Sequence, residues 1–256
     1  SKKVKNHWEY NSSSTDRDDI GRDFFHFRRN GKATNDRSHI DIQNQNELPK
    51  NFDNSKINIV IFNSSEDEIF SIGPSWRKKF KSQYDAVNHI SNLLINDDKY
   101  FIYLRMHPNL RNVKSEFVEE LLVLNHLDNV EVISPSSTIS SYSLIDASNF
   151  IITFGSTIGV EATYWGKPSL TLSDCFYSGI NGAYSVFNID IMQFILSNNL
   201  PEINKENALM YGYYQLTIGN KFKFWNNNFF KGKRLPKPNF IEKTLYNLNN
   251  YSLESK

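Results

Sequence analysis

Short apolar runs alternate with segments of helical periodicity through the middle of the chain. The runs are rich in β-branched and aromatic residues, which is typical of buried strands. The segments between them place apolar residues three and four positions apart, as in Ala86, Val87 and Ile90, and this spacing predicts helices. Strands separated by single helices form βαβ units, so the pattern predicts an α/β fold with a Rossmann-like, doubly wound parallel sheet. The predicted strands are 57–62, 100–105, 129–134, 149–154 and 168–172, and the predicted helices are 82–96, 114–127, 139–148, a segment beginning at 156 or 157, 188–199 and 240–250.

The two ends of the chain lack this alternation. Residues 1–56 are rich in Asn, Asp, Arg and Ser, which predicts a linker or an extension packed onto a neighbouring segment. Residues 57–200 form the predicted Rossmann-like domain, and residues 201–256 form a C-terminal helical and aromatic-basic extension packed on it. Within this extension we expect an irregular aromatic stretch before the helix at 240–250. Residues 221–237 interleave basic and aromatic side chains, which indicates either a loop folded onto the core or a membrane-surface contact.

The composition narrows the choice of partners. The chain has 256 residues, of which 39% are hydrophobic, so it can bury a substantial core. Its 29 Lys and Arg residues against 28 Asp and Glu residues leave a formal charge of +1, which excludes the global field that attracts proteins to nucleic acids. Recognition of an anion must then be local. The single cysteine, Cys175, excludes an internal disulfide and a thiolate metal cluster, and it is typical of a reducing compartment.

The distribution of apolar and polar residues also indicates the compartment in which the protein acts. No apolar run approaches the roughly 20 residues needed to cross a bilayer, and the N-terminal residues are too polar for a signal peptide. We therefore expect a cytoplasmic protein, with a peripheral contact at the inner face of the cell membrane through residues 221–237 as the alternative. The chain begins with Ser1 and not with Met, and we expect it to be a processed or excised piece of a longer protein.

The residues that follow the predicted strands carry most of the chain's candidate chemistry. In an open parallel sheet, ligands bind beyond the carboxyl ends of the strands. Four of these segments begin with small, hydroxyl-bearing or glycine-rich residues, and the fifth offers an arginine, a histidine and a proline. This set of residues indicates a site for an anion and a sugar. The segments are 63–68, 105–109, 134–138, 155–159 and 173–177.

His107 lies between the second predicted strand and Pro108. The proline biases His107 toward an extended backbone, which holds the imidazole at the edge of the sheet. There the imidazole either donates to a phosphate oxygen or merely caps a helix or fills a turn. Arg105 either reaches the same anion or pairs with a surface carboxylate.

The segment after the first predicted strand also allows two interpretations. Ser65 and Glu68 fit the S-x-x-E capping box, so a structural role accounts for them. The functional alternative is a contact of Ser64 or Ser65 with a diphosphate or an acceptor group in the cleft.

Residues 154–168 predict a strand, a sharp turn and a helix. Gly155 permits the turn, Ser156 or Thr157 begins the helix, and the free N–H groups of its first turn attract an anion. Gly159 allows a close approach to the backbone. Glu161 lies in a helix that is apolar almost all round, where a carboxylate is costly unless it is hydrogen-bonded. The two hydroxyls of a ribose would supply hydrogen bonds to this carboxylate. The alternative is a salt bridge from Glu161 to Lys167 or Arg105.

Two motifs in this order carry a resemblance to a known family. They are R-x-H-P at residues 105–108 and G-S-T-I-G-V-E-A-x-x-x-G-K-P at residues 155–168, with 139–157 leading into the second. On the basis of these motifs, residues 57–180 resemble the C-terminal, nucleotide-binding half of the GT-B glycosyltransferases that make bacterial surface polysaccharides. This capsule-biosynthesis type includes Kdo transferases and polysialyltransferases. The motifs are specific for the superfamily and do not identify the sugar.

The resemblance implies a role for each matching residue. His107 would contact the nucleotide phosphate and stabilise the leaving group, Ser156 and Thr157 would hold the same phosphate, and Glu161 would bind the ribose. The loop 134–138, with Ser134 and Pro135, would lie against the base. The ligand implied for residues 57–200 is a nucleotide-sugar substrate, CMP- or UDP-linked, with no further cofactor and with a glycan as the acceptor.

The resemblance also indicates a mechanism and a missing part. Many retaining members carry two glutamates eight positions apart, but Thr153 stands eight before Glu161, which favours an inverting reaction. No D-x-D triplet follows a strand, so we expect no metal. The 56 residues before the first strand are too few for the N-terminal GT-B domain, which usually supplies the general base. Asp67 and Glu68 are available at the cleft but have a better structural explanation.

Two other functions fit the same residues. Teichoic-acid polymerases look similar in this half of the fold, so transfer of a phosphoalcohol from a CDP-linked donor is one alternative. A non-catalytic domain that senses nucleotide sugars or acts as a scaffold in a capsule assembly complex is another, and it predicts binding without turnover. A sugar-nucleotide epimerase is a further candidate, and it too would need a second domain.

Overall fold

Six parallel strands form the sheet of the computed structural model, which describes residues 2–10, 13–32, 43–64, 77–197, 200 and 205–218, all of one compact unit. The strands are β1 (Ile57–Phe62), β2 (Tyr100–Arg105), β3 (Val130–Ile133), β4 (Phe150–Thr153), β5 (Ser169–Thr171) and β6 (Tyr184–Ser185). Their order across the sheet is β3-β2-β1-β4-β5-β6. All pairs are parallel, and this order is that of a doubly wound, Rossmann-like sheet.

The sequence pattern identified five of these strands. Each of β1 to β5 lies within its predicted range, so the predicted α/β fold class is confirmed. The sixth strand was missed because its two residues are too short to show any periodicity.

Eight α-helices are described. They are α1 (Lys2–Tyr10), α2 (Ser14–Arg29), α3 (Gln83–Leu94), α4 (Glu116–Val123), α5 (Ser141–Ala147), α6 (Ile158–Tyr164), α7 (Ile191–Leu196) and α8 (Lys205–Thr217). Side chains at or one residue after the predicted starts cap three of them, because Ser82, Ser115 and Ser140 accept hydrogen bonds from N–H groups in the first turn of α3, α4 and α5. The helices predicted between the strands, and the one at 188–199, are confirmed, although α4 and α7 are shorter than expected.

The sheet carries a hydrophobic core on each face. On one face, Ile59 and Ile61 of β1 pack with residues of α3, α4 and α7. On the other, Val60 and Phe62 pack with residues of α5 and with Ala162 of α6. Successive residues of a strand point to opposite faces, so the uninterrupted apolar run of β1 supplies both cores.

Helices α1, α2 and α8 form a further layer, called here the helical layer. Its core joins Val4 of α1, Phe25 of α2 and Ala208 of α8 to Val160 and Tyr164 on the outer side of α6. Because α6 is covered by the sheet on one side and by this layer on the other, every residue from Gly159 to Tyr164 is buried. This explains why its sequence is apolar almost all round.

Two parts of the helical layer differ from the sequence prediction. The polar N-terminal segment contains two helices, and α8 lies where an irregular aromatic stretch was predicted, so that prediction is wrong for 205–217. The buried side of α8 includes Ala208, Gly212 and two tyrosines, which do not form the apolar stripe on which helix prediction depends. The predicted helix at 240–250 and the segment 221–237 lie outside the described residues.

Helices α2 and α8 cross in close contact at two glycines. A Cβ at Gly21 would lie 2.5 Å from the carbonyl oxygen of Leu209, and a Cβ at Gly212 would lie 2.4 Å from that of Gly21. The two backbones therefore touch where neither carries a side chain. In the part of the chain that the structure describes, no helix has the length and apolar character needed to cross a membrane.

Candidate functional site

The carboxyl ends of β1, β2 and β4 are level with one another. Phe62, at the end of β1, pairs with Arg105 at the end of β2 and with Thr153 at the end of β4. The chain extends the sheet from β1 to β3 on one side and from β4 to β6 on the other, so the strand order reverses between β1 and β4. In open parallel sheets, ligands bind in the crevice at such a reversal. The loops after these three strands therefore border the candidate site.

His107 follows β2 in the extended conformation that Pro108 predicts, with φ −63° and ψ 133°. Its N–H donates to Oδ1 of Asn63 at 2.5 Å, which fixes the start of this loop against the end of β1. Its ring Nδ1 accepts a hydrogen bond from the N–H of Asn109 at 3.1 Å and so caps the short 3-10 helix Pro108–Leu110, which confirms the helix-capping interpretation for this nitrogen. Because Nδ1 accepts, the neutral imidazole carries its proton on Nε2, which makes that atom a donor.

Arg105 ties β2 to the loop after β3. Its Nη1 donates to the carbonyl of Ser134 at 2.6 Å, and its Nη2 donates to the carbonyl of Ser137 at 3.2 Å. The predicted alternative of a surface carboxylate is wrong, because the side chain is buried and these partners are neutral. Burial, followed by the charge of Arg111, lowers the pKa of Arg105 to about 10. Its positive charge is thus held beside the site without a bonded carboxylate among the described residues.

Ser134 and Pro135 begin the loop that Arg105 holds. Ser134 is exposed and Pro135 is buried. The hydroxyl of Ser134 accepts a hydrogen bond from the N–H of Ser136 at 3.2 Å, and its carbonyl accepts one from Ser137 at 3.0 Å. The loop is therefore a tight turn bonded both internally and to β2.

Ser64 is buried and clamped by a side chain of α3. Its N–H donates to Oε1 of Gln83 at 3.0 Å, and its carbonyl accepts from Nε2 of Gln83 at 2.8 Å. This pair fixes the loop after β1. Ser65 lies outside the described residues, as do the predicted capping box that it forms with Glu68 and the candidate acid Asp67.

Gly155, Ser156 and Thr157 form the predicted turn between β4 and α6. Gly155 has a φ of +95°, a conformation that glycine adopts at little steric cost. Ser156 and Thr157 are half-buried. The hydroxyl of Ser156 accepts a long hydrogen bond from the N–H of Ile158 at 3.4 Å, whereas the hydroxyl of Thr157 makes no such cap.

Tyr177 holds this turn in place. Its buried hydroxyl donates to the carbonyl of Ser156 at 2.5 Å. The close approach predicted at Gly159 is confirmed, because a Cβ there would lie 2.3 Å from the Tyr177 hydroxyl oxygen. Burial raises the pKa of Tyr177 well above its ordinary value, so the hydroxyl remains a donor.

Glu161 is fully buried and hydrogen-bonded within the protein. Arg28 of α2 donates from Nε to Oε1 of Glu161 at 2.8 Å, and Tyr142 of α5 donates its hydroxyl to Oε2. Burial, followed by the charge of Glu161, raises the pKa of Tyr142, which keeps that hydroxyl protonated. The cost of desolvating this carboxylate is thus met by two protein donors.

The two salt-bridge partners predicted for Glu161 are wrong. Arg105 binds carbonyls of the loop after β3, and Lys167 donates to the carbonyls of Asp146 and Ser148 at 2.7 and 2.8 Å. The cation is Arg28, which lies in a segment where the sequence predicted no helix. The ribose contact of Glu161 stays a prediction, but it is no longer needed to explain a buried carboxylate.

Five residues that order the site were not singled out from the sequence. Asn63 and Tyr177 lie in two of the segments that follow strands, 63–68 and 173–177, so their positions gave a readable signal. The others act over long sequence separations, and 133 positions part Arg28 from Glu161. Besides Asn63, they are Arg28, Gln83, Tyr142 and Tyr177.

No protein-family model and no curated protein matches the chain. Among solved structures, the β-Kdo 2,7 transferase of KpsC from Thermosulfurimonas dismutans aligns with 82% of this chain and 56% of its own, at 17% identity and a TM-score of 0.47. The β-Kdo 2,4 transferase of the same KpsC aligns with 82% and 59%, at 12% identity and a TM-score of 0.45. MnaA of S. aureus, solved with UDP, aligns with 67% and 41%, at 16% identity and a TM-score of 0.37. These scores are too low to establish a shared fold, and the chain spans 56% and 59% of the length of the two KpsC structures.

Proposed function

We propose that this chain is the donor-binding part of a GT-B glycosyltransferase that transfers a sugar from a nucleotide-activated donor to a bacterial surface polysaccharide. The observation that carries the proposal is the set of groups beyond the level ends of β1, β2 and β4. The set comprises the imidazole of His107, the buried cation of Arg105 and the hydroxyls of Ser156 and Thr157. These groups offer donors and positive charge at the crevice where this strand order binds nucleotide phosphates.

The proposed reaction breaks the bond between the anomeric carbon of the sugar and a phosphate oxygen. An acceptor hydroxyl attacks that carbon, the nucleotide leaves with the electron pair, and the hydroxyl proton passes to a general base. His107 donates from Nε2 to the phosphate as negative charge develops there, and Arg105 adds to the favourable field. This scheme needs no metal, and we propose inversion because Thr153 replaces the second glutamate of many retaining enzymes.

We assign the remaining parts of the site from the resemblance of residues 57–180 to GT-B glycosyltransferases. Ser134 and Pro135 face the base, and Ser64 lies toward the second phosphate or the acceptor. We assign the general base and the acceptor site to a separate N-terminal domain. The donor is CMP- or UDP-linked. We place the reaction in the cytoplasm, with a peripheral contact at the inner face of the cell membrane through 221–237 as the alternative.

A thermal-shift titration with CMP, CDP, UMP, UDP and GDP tests the proposal. A nucleotide at about 100 times its dissociation constant adds roughly 2.7 kcal/mol to the free energy of unfolding, so we expect a clear rise for one base. His107→Ala should remove most of that rise. His89→Ala, at an exposed position on α3, is the matched control and should leave it intact. The proposal is rejected if no nucleotide raises the unfolding temperature of the wild-type protein.

A further inference from the structure

Thr157 stands at the N-cap position of α6 but uses its hydroxyl differently from the capping serines of α3, α4 and α5. It makes no cap, and its Oγ1 instead accepts a hydrogen bond from Nη2 of Arg28 at 3.0 Å. A hydroxyl has one hydrogen to donate, and an oxygen that accepts from a guanidinium must direct that hydrogen elsewhere. Arg28 therefore turns the hydroxyl hydrogen of Thr157 away from the guanidinium, where it can be donated to an acceptor in the site.

The same guanidinium is locked by Glu161. Its Nε donates to the carboxylate at 2.8 Å, with Glu161 fully buried and the Arg28 side chain 19% exposed. A buried carboxylate is strongly destabilised if its cation is removed, so this pairing is firm. The planar fork of arginine then presents Nη2 to Thr157 at a fixed angle.

The position of Arg28 is set by the helical layer and not by the sheet. On the next residue of α2, Arg29 binds Asp146 of α5 and lies 4.5 Å from the ring centroid of Trp165. One turn back, Phe25 stacks on Tyr164 of α6 with ring centroids 4.1 Å apart. These contacts hold the end of α2 against α5 and α6.

We propose that Arg28 is a positioning residue of the nucleotide site, which orients the hydroxyl of Thr157 as a hydrogen-bond donor to the donor phosphate and makes helix α2 part of that site. Phosphate oxygens only accept hydrogen bonds, so a hydroxyl oriented in advance as a donor suits them. This inference rests on the proposed function and adds to it a residue from outside the βαβ pattern.

Arg28→Lys tests the inference with little change of charge. Lysine keeps a cation beside Glu161 but has no planar fork with which to hold Thr157 at the same time. By isothermal titration calorimetry with CMP, CDP and UDP, we expect the variant to bind the nucleotide preferred by the wild-type protein about tenfold more weakly. Arg22→Lys, at an exposed position of the same helix, should bind it with wild-type affinity.

Thr157→Val separates positioning from a general loss of structure. This substitution removes the hydroxyl but keeps the shape, so it should weaken binding by a similar factor. In the Thr157→Val background, Arg28→Lys should cause no further loss, whereas a merely structural role would weaken binding in both backgrounds. If Arg28→Lys does not fold, the paired variant Arg28→Gln with Glu161→Gln, which buries no lone charge, replaces it with the same expectations.

The outcomes distinguish a failure of the proposed function from a failure of the positioning role of Arg28. If the wild-type protein binds none of the three nucleotides, the proposed function fails and the inference fails with it. If the wild-type protein binds and Arg28→Lys binds equally well, only the positioning role is overturned. Additive losses from Arg28→Lys and Thr157→Val overturn it too.

Discussion

The sheet and the helical layer are held together by different interactions. In the sheet, backbone hydrogen bonds fix the register, so that Ile59 of β1 lies between Ile102 of β2 and Phe150 of β4. In the helical layer no ladder joins the elements, and α2 meets α8 through the glycine crossing and through aromatic edges such as Phe24 against Tyr211. The geometry of the layer thus depends on a few side chains, whereas that of the sheet is shared among many backbone groups.

Helix α6 shows what this difference means for the site. Its Ala162 packs in a core of the sheet, and its Val160 and Tyr164 pack in the core of the helical layer. The turn at the start of α6 is positioned by the end of β4, but its Thr157 and Glu161 are bonded to Arg28 of the layer. Substitutions in the helical layer should therefore affect the site, although no strand is touched.

The largest effect is expected from Phe25→Ala. Phe25 has no exposed surface and stacks on Tyr164, so its removal opens a cavity between α2 and α6. We expect a loss of about 3–5 kcal/mol in the free energy of unfolding, measured by urea denaturation. Phe27→Ala is the control, because Phe27 lies on the same helix and is 39% exposed. Equal losses for the two variants would mean that the layer does not hold α6.

A smaller loss is expected from Gly212→Ala. Alanine is the better helix former by about 1 kcal/mol, so this change should stabilise an uncrowded helix. At the crossing, its Cβ would lie 2.4 Å from the carbonyl oxygen of Gly21 and must push α2 away. We expect a net loss of about 1–3 kcal/mol in thermal or urea unfolding. Gln215→Ala, at an exposed position of α8, should show little change, and a gain in stability at Gly212 would contradict the close crossing.

The difference between the sheet and the helical layer also determines which elements the sequence could predict. The strands β1 to β5 and the helices between them follow from local periodicity, because each buries its own apolar face against the sheet. Helix α8 does not follow from local periodicity. Its buried side consists of small residues and tyrosines, and this composition is explained by the close approach of α2 at Gly21. The two-residue β6 offers no period at all.

In the candidate site, too, the sequence predicted the features that depend on local residues and missed the long-range contacts. The extended backbone of His107 and the left-handed turn at Gly155 were predicted, because Pro108 and glycine act on their own backbone. The buried state of Glu161 was also predicted, but its partners were not. Arg28 is 133 positions away, and no local pattern links the two residues.

Tyr177→Phe tests the contact that joins the turn to the helical layer. The hydroxyl of Tyr177 bonds the carbonyl of Ser156, while its ring meets Tyr211 of α8 edge to face at 5.7 Å. Losing one buried hydrogen bond should lower the free energy of unfolding by about 1 kcal/mol. The titration calorimetry described for Arg28 should also show weaker nucleotide binding. Tyr10→Phe, at a residue that is 82% exposed, should change neither quantity.

The smallest effect at neutral pH is expected in the sheet, from Tyr103→Phe. Burial raises the pKa of Tyr103 to about 12, whereas an unfolded tyrosine titrates near about 10. Between these values the unfolded chain releases its proton and the folded protein keeps it, so stability is complete below pH 10 and falls as the pH rises toward 12. Tyr103→Phe should make the midpoint of urea unfolding less dependent on pH in this window. Burial also raises the pKa of Tyr142 and Tyr177, so a weaker pH dependence should persist in the variant. An unchanged slope would show that the alkaline sensitivity arises at other tyrosines, such as Tyr142 and Tyr177, and not at Tyr103.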